Sequence, residues 1–188
     1  MSIDADAVHE VVLAAQQGSR QAADRLVREH DAWVRSAIYA VTGRSDTVDD
    51  IAQQVWTRVW ERLGSLENPR QLRSWLYTIA RNTAIDVSMS NRRRTRQSTP
   101  LDEQMPLVDR SATCPVTAAS RGELQQMILE AVRSLPALYR EPFVLRHLND
   151  WSYAQIAEVL GLSVESVETR LVRARAMLRE MLAGKVQR

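Results

Sequence analysis

The chain has 188 residues, 45% of them hydrophobic, and a formal net charge of +2. That suffices for one ordinary domain or two small ones with real cores, and no apolar run approaches the roughly 18–20 residues of a membrane span. A single cysteine, Cys114, and three scattered histidines exclude an internal disulfide framework and argue against a zinc site, so no cofactor is expected.

Helical periodicity dominates from the N-terminus. MSIDADAVHE is acidic and lacks a signal-peptide pattern, so a reducing cytoplasm is the expected compartment. Ala7, Val8, Val11, Val12 and Ala15 recur at helical spacing, and Gly18 fits a stop. A second helix is expected over roughly 20–42, with Leu26, Val34, Ala37, Ile38 and Val41 as its apolar stripe and Gly43 as its end. Thr47 stands where it can cap the next helix, with Asp49 and Asp50 favourable in the first turn and Gly64 closing it. Asn68-Pro69 opens a fourth helix, Asn as N-cap and Pro at the first helical position. Leu72, Leu76, Ile79 and Ala80 mark its buried side. Residues 97–119 hold three prolines and no sustained period, which reads as a linker. The expected fold is all-α: a helical module over 1–96 and a second over 120–188.

Within the second module, Ser152 and Gln155 form a capping-box pattern, and Gly161 supplies the positive φ that ends a short helix. Ser163 then caps a new helix in which Val164, Val167, Leu171, Ala174 and Leu178 point inward. Small Ala157, four residues before the glycine, lets two helices approach closely. This is the spacing of a helix-turn-helix, in which the second helix enters the major groove, or of an αα-hairpin that serves only as core. The outward face of the second helix carries Glu165, Ser166, Glu168, Thr169, Arg170 and Arg173, types that bond phosphates and base edges.

Charge adds a second signal. Residues 70–96 carry seven arginines against Asp86 alone, and residues 170–188 six basic residues against one acid. Of the 25 basic residues all but Lys185 are arginine, a bias that a GC-rich genome explains. Arg73, Tyr77 and Arg81, four apart, make one outward stripe beside Ser74, Thr78, Asn82 and Asp86. Cations interleaved with an aromatic ring suit single-stranded nucleic acid, the ring stacking on a base while the cations hold phosphates. Trp75 reads as core. Asn82 and Asp86 either read base edges or bond neighbouring side chains. Arg92, Arg93, Arg94 and Arg96 are phosphate contacts or a basic tail.

The blocks DDIAQQVWTRVWERL, LRSWLYTIARNTAID and LPALYREPFVLRHLNDWSYAQIAEVLGLSVESVETRLVRARAML, in this order, resemble the extracytoplasmic-function (ECF, group IV) sigma factors of bacterial RNA polymerase. The resemblance implies a polymerase subunit without catalytic chemistry that directs promoter-specific initiation. Asp49, Asp50, Gln53, Trp56 and Trp60 match the segment that docks on the clamp helices of the polymerase β′ subunit. Two tryptophans four apart offer an anchor, with at least one also filling the core. The loop from Ser65 to Asn68, with the helix through Asp86, matches the part that holds an unstacked base of the −10 element. This gives Asn68, Arg73, Tyr77, Arg81, Asn82 and Asp86 as candidate contacts. The helix-turn-helix matches the part that reads the −35 duplex, through Ser163, Glu165, Ser166, Thr169, Arg170 and Arg173. Implied partners are core polymerase, promoter DNA as duplex and single strand, and an inhibitory anti-sigma protein. The chain departs from the family where Val87, Ser88, Met89 and Ser90 stand in place of the basic residues that often follow the Ile-Asp pair. Two other readings use the same features: a regulator binding a palindrome as a dimer, and a helical adaptor that binds only proteins.

Overall fold

Among the described residues the secondary structure is helical, with no strand. The structure is a computed structural model, and it describes residues 5–98 and 121–186. The helices are α1 (Ala5–Gln16), α2 (Arg20–Thr42), α3 (Val48–Arg62), α4 (Leu72–Ser98), α5 (Arg121–Ser134), α6 (Ala137–His147), α7 (Tyr153–Leu160) and α8 (Val164–Val186). Most of the expected linker, and Cys114 with it, lies outside the described residues.

Local chemistry sets most of these boundaries. Ser19 is extended and its hydroxyl accepts from the Ala22 amide, satisfying one of the amides that open α2. Gly43 ends α2 in the left-handed region at φ 68°. Asn68 accepts from the Arg70 amide, and Pro69 leads a 3-10 turn, Pro69–Gln71, that runs into α4. Ser152 and Gln155 form both bonds of the capping box, and Gly161 stands at φ 65°. Ser163 accepts from the Ser166 amide and caps α8. Three expectations change. Thr47 holds the N-cap position of α3 in a helical conformation, φ −103° and ψ −4°, rather than the extended one that aims a hydroxyl at the first amides, and it makes no cap bond. Gly64 sits inside a 3-10 turn, Leu63–Ser65, that extends α3 rather than stopping it. Val164 is 43% exposed, because the buried seam of α8 begins one turn later at Val167.

The first module buries Leu26, Val34, Ile38, Ile51, Val55, Leu72 and Leu76 between α1, α2, α3 and α4. The second packs α5 and α6 on α8 through Ala131, Leu135, Val144, Ala174 and Leu178. A third cluster joins the two: Ala37 of α2 and Tyr77 of α4 are buried with Leu145, Trp151, Ile156, Val167 and Leu171. The modules therefore share an apolar seam along α2 and α4.

His30 is a buried titratable group beside this seam, 2% exposed. Its Nδ1 accepts from Trp33 Nε1 at 3.2 Å, which places the ring hydrogen on Nε2. Burial holds its pKa below the ordinary value; Glu29 opposes that shift and Arg73 reinforces it. The unfolded chain therefore takes up this proton first as pH falls, and the folded state loses ground below about pH 6.5, by up to about 1.4 kcal/mol per pH unit until the folded pKa is reached. Denaturant midpoints should drop between pH 7.5 and 5.5, and His30→Asn should flatten that dependence. His147, whose pKa burial also lowers, leaves a smaller residual slope in the variant.

Candidate nucleic-acid interface

The helix-turn-helix turns an outer face to solvent, with Glu165, Thr169 and Arg173 exposed and Ser166 and Arg170 half-buried. Val167, Leu171 and Ala174 are fully buried on the inner side of α8. The opposite side places Glu165, Ser166, Thr169, Arg170 and Arg173 along one shallow groove of about 370 Å³, walled by Leu138 and Tyr139 of α6. The Ser163 hydroxyl donates to Ser166 Oγ at 3.0 Å while it caps the helix, so both hydroxyls are held at the helix start. Glu165 stands in the first turn. Its own backbone amide holds its carboxyl below the usual range, which keeps it an anionic acceptor. Such a face can accept from an exposed cytosine amino group through Glu165, donate to guanine through an arginine, and grip phosphates.

The second surface lies on the solvent side of α4. Arg58 and Arg62 of α3, Ser65 of the 3-10 turn, and Trp75, Thr78, Ile79, Asn82 and Thr83 of α4 line a cleft of about 210 Å³. Trp75 is only partly buried there and forms a flat wall, so it is not simply core. Asn82 is exposed at its edge. Arg58 donates to Thr83 Oγ1 at 3.0 Å and to Asp86 Oδ2 at 3.1 Å, which ties the two helices across one end of the cleft. Asn68 lies in the loop leading into α4. An aromatic wall, an amide and flanking guanidiniums can stack on a single base, hydrogen-bond its edge and neutralise its phosphate.

Arg73, Tyr77 and Arg81 share one face of α4, as their spacing predicts, but only Arg73 stays exposed there: Tyr77 is buried and Arg81 half-buried. Tyr77 is 0% exposed, its ring 5.4 Å from that of Trp151, and its hydroxyl donates to Glu141 Oε1 at 2.5 Å. Burial, then the Glu141 charge, pushes the phenol pKa far up, so it stays a donor. Arg81 Nε donates to the same oxygen at 2.6 Å. The Arg73 guanidinium lies over Trp33 and Trp151, at 5.9 and 5.6 Å from the ring centroids, and donates to the Asn149 carbonyl at 3.0 Å. The expected outward stripe is thus the contact face for the second module. The sequence pattern identifies a shared face and is silent on what covers it.

The third surface is on α3. Asp49, Asp50, Gln53 and Trp60 are exposed, and Trp60 stacks on buried Trp56 with centroids 5.7 Å apart. Trp56 Nε1 donates to Asp31 Oδ1 at 2.8 Å, while Arg35 bonds both Asp31 and Asp49. Hydrogen bonding to Asp31, opposed by partial burial and supported by Asp49, raises the Arg35 pKa.

Comparison with known proteins now decides what these surfaces belong to. Residues 26–96 match the family model of Sigma-70 region 2, and residues 125–178 match that of Sigma-70, region 4. The chain is 30% identical over 156 residues to the ECF RNA polymerase sigma factor SigW of Bacillus subtilis, covering 77% of this chain and 80% of that one. It belongs to the ECF RNA polymerase sigma factors. It is also 33% identical to the probable RNA polymerase sigma factor RfaY of Xanthomonas campestris over 96% of this chain, and spans 45% of that relative's length. The structure of CnrH in complex with the cytosolic domain of CnrY aligns with a TM-score of 0.67 and 27% identity, covering 96% of this chain and 99% of that one. The sigma factor RpoE of Bartonella quintana, solved with the anti-sigma factor NepR, shares the fold at a TM-score of 0.65 and 22% identity, covering 88% of this chain and 98% of that one.

Sigma factors are transcription initiation factors, and the three surfaces of this one divide by element. The six −35 candidates gather at the start and outer face of α8. The six −10 candidates split: Asn68, Asn82 and Asp86 lie on the solvent side, Arg73, Tyr77 and Arg81 against the second module. Arg58, Arg62, Trp75 and Thr78 also line the cleft and were not singled out as contacts from sequence. Their signal was available as partner spacing, since Trp75, Thr78 and Asn82 recur at helical intervals. The side chains of Arg92, Arg93, Arg94 and Arg96 lie outside the described residues. No helix among the described residues is long and apolar enough to cross a membrane.

Proposed function

We propose that this sigma factor, acting in the cytoplasm and catalysing nothing itself, binds core RNA polymerase through α3, reads −35 duplex with α8, and holds an unstacked −10 base in the cleft on α4. The chemistry of RNA synthesis belongs to the polymerase. Ser163, Glu165, Ser166, Thr169, Arg170 and Arg173 contact the duplex. Asn68, Asn82 and Asp86 work with Trp75 at the cleft, while Arg73, Tyr77 and Arg81 supply a second strand-contacting face. Asp49, Asp50, Gln53 and Trp60 form the polymerase contact, with Trp56 behind it. The observation that carries this reading is the polar and basic groove on α8, set by two caps and a left-handed glycine at helix-turn-helix spacing. Neither module need bind tightly alone, because tethering both to one polymerase raises their effective concentration. An anti-sigma protein is the expected antagonist of the polymerase-binding surface.

Run-off transcription with purified core polymerase on genomic fragments, followed by start-site mapping, tests the whole reading; no transcript beyond those of core alone would end it. Within it, Asn82→Ala should leave the fold intact, since the side chain is exposed, and should weaken promoter opening by about 1–3 kcal/mol, the worth of one base contact. Permanganate reactivity of thymines around the start site reports opening. Normal reactivity in the Asn82 variant would remove the cleft from the assignment.

A further inference from the structure

Two consecutive residues of α6 hold the two modules together. Arg140 is 7% exposed. It donates to the carbonyls of Ala40 at 2.8 Å and Val41 at 3.1 Å, in the last turn of α2. The same guanidinium donates to the Arg133 and Leu135 carbonyls of its own module at 2.9 and 3.1 Å. A cation on the unpaired carbonyls of a helix C-terminus is favoured by both hydrogen bonding and the helix dipole. Gly43 makes room for it: a Cβ there would stand 2.6 Å from Arg140 Nη1, on a backbone that is already left-handed. Glu141, the next residue, takes Tyr77 and Arg81 of α4 on a single carboxylate oxygen. Arg73, which donates to the Asn149 carbonyl, and the Ser36 hydroxyl, 2.8 Å from Asn149 Oδ1, add further polar ties.

This closed arrangement is incompatible with simultaneous reading of two promoter elements. Elements centred roughly 25 base pairs apart lie about 85 Å apart along B-DNA at 3.4 Å per base pair. Here α4 and α6 are in hydrogen-bond contact. The modules must separate for α8 and the α4 surface to reach their targets together. The interface has a feature suited to opening: Asn149 Nδ2 and Trp151 Nε1 are buried in it without a protein hydrogen-bond partner among the described residues. Such donors weigh against burial and regain partners on exposure.

We propose that Arg140 and Glu141 form an autoinhibitory clasp, in which the Glu141 carboxylate occupies the cationic and aromatic face of Arg81 and Tyr77 and withholds it from single-stranded DNA. The carboxylate stands in for a phosphate, offering Arg81 the same charge-assisted bond. Closure and single-strand binding then compete, and the apparent affinity for DNA is reduced by the fraction of open molecules. The DNA half of the proposal rests on the reading of Arg73, Tyr77 and Arg81 given above.

The test uses the full chain carrying C114S, with dyes on E61C and R179C, two exposed positions in different modules. Energy transfer reports closure. Anisotropy of a mixed-sequence, 20-nucleotide single-stranded DNA reports binding. Glu141→Gln keeps the shape and removes the charge. It should lower transfer efficiency and tighten DNA binding by at least about 5-fold. Tyr77→Phe, which deletes one bond to Glu141 and keeps the ring, should lower transfer in the same direction and keeps the test valid if the Glu141 variant loses its helical circular dichroism. Unchanged transfer in the folded variants overturns the clasp. Lowered transfer with no gain in DNA affinity overturns the autoinhibition, since the modules then close without masking a DNA-binding face, and removes the single-strand role of the α4 face.

Discussion

Alanine at both Arg170 and Arg173 is expected to weaken −35-dependent initiation by roughly 30-fold or more while leaving the fold and polymerase binding intact. Both side chains line the groove on α8, and neither has a carboxylate partner among the described residues. Their removal therefore costs the fold little, as surface substitutions usually do. On DNA the accounting differs. An arginine bidentate to guanine contributes about 1–3 kcal/mol of discrimination, and one on a phosphate contributes uniformly and adds about one unit to the salt slope. Two losses amount to at least about 2 kcal/mol, or roughly 30-fold, with neighbours on one helix not strictly additive. Run-off transcription from a cognate promoter and from the same promoter with a scrambled −35 element separates the two roles. Loss of discrimination with the salt slope unchanged assigns base reading, and a uniform drop with a shallower slope assigns phosphate contact. Full discrimination in the double variant would take α8 out of duplex reading.

The fold was legible wherever its cause was local. Gly43 and Gly161 end helices because each must adopt a positive φ. Ser152 and Gln155 satisfy each other's backbone three residues apart. The seam of Val167, Leu171 and Ala174 follows from a period of 3.6. Each of these causes lies within a few residues of its effect. Tyr77 shows the limit of that reasoning. Its spacing from Arg73 and Arg81 gives a shared face, and an aromatic ring between two cations reads equally as a surface awaiting DNA or a surface covered by protein. The deciding partner, Glu141, is 64 residues away. Arg140, whose contact with Ala40 spans 100 residues, looked like one more basic residue in an arginine-rich chain. Nothing in LPALYREPF distinguishes a buried helix-capping guanidinium from a solvated one. The groove on α8 was legible as a set because its polar lining comes from one helix. The cleft on α4 was legible only in part, because it is assembled from α3, a 3-10 turn and α4.

Trp60→Ala carries the second large effect. Trp60 is 39% exposed and stacks on Trp56, which is 9% exposed. The two rings have different jobs. Trp56 is fixed from behind by its bond to Asp31, which Arg35 in turn holds in place. A rigid, half-exposed indole resting on a braced one is a preformed anchor, and truncating such an anchor at an interface costs about 2 kcal/mol or more, roughly 30-fold in affinity. Affinity for purified core polymerase should fall by that factor in the Trp60 variant, with its melting temperature little changed. Trp56→Ala should instead unfold the module more easily, by about 3–5 kcal/mol, because it leaves a cavity and strips Asp31 of a donor. The pair of variants separates docking from packing, since loss of affinity without loss of stability is available only to the exposed ring. If the Trp60 variant binds core polymerase within about twofold of the parent, well under the 2 kcal/mol expected of an anchor, then α3 is not the docking face. The exposed row of Asp49, Asp50 and Gln53 would then be an ordinary solvated helix surface.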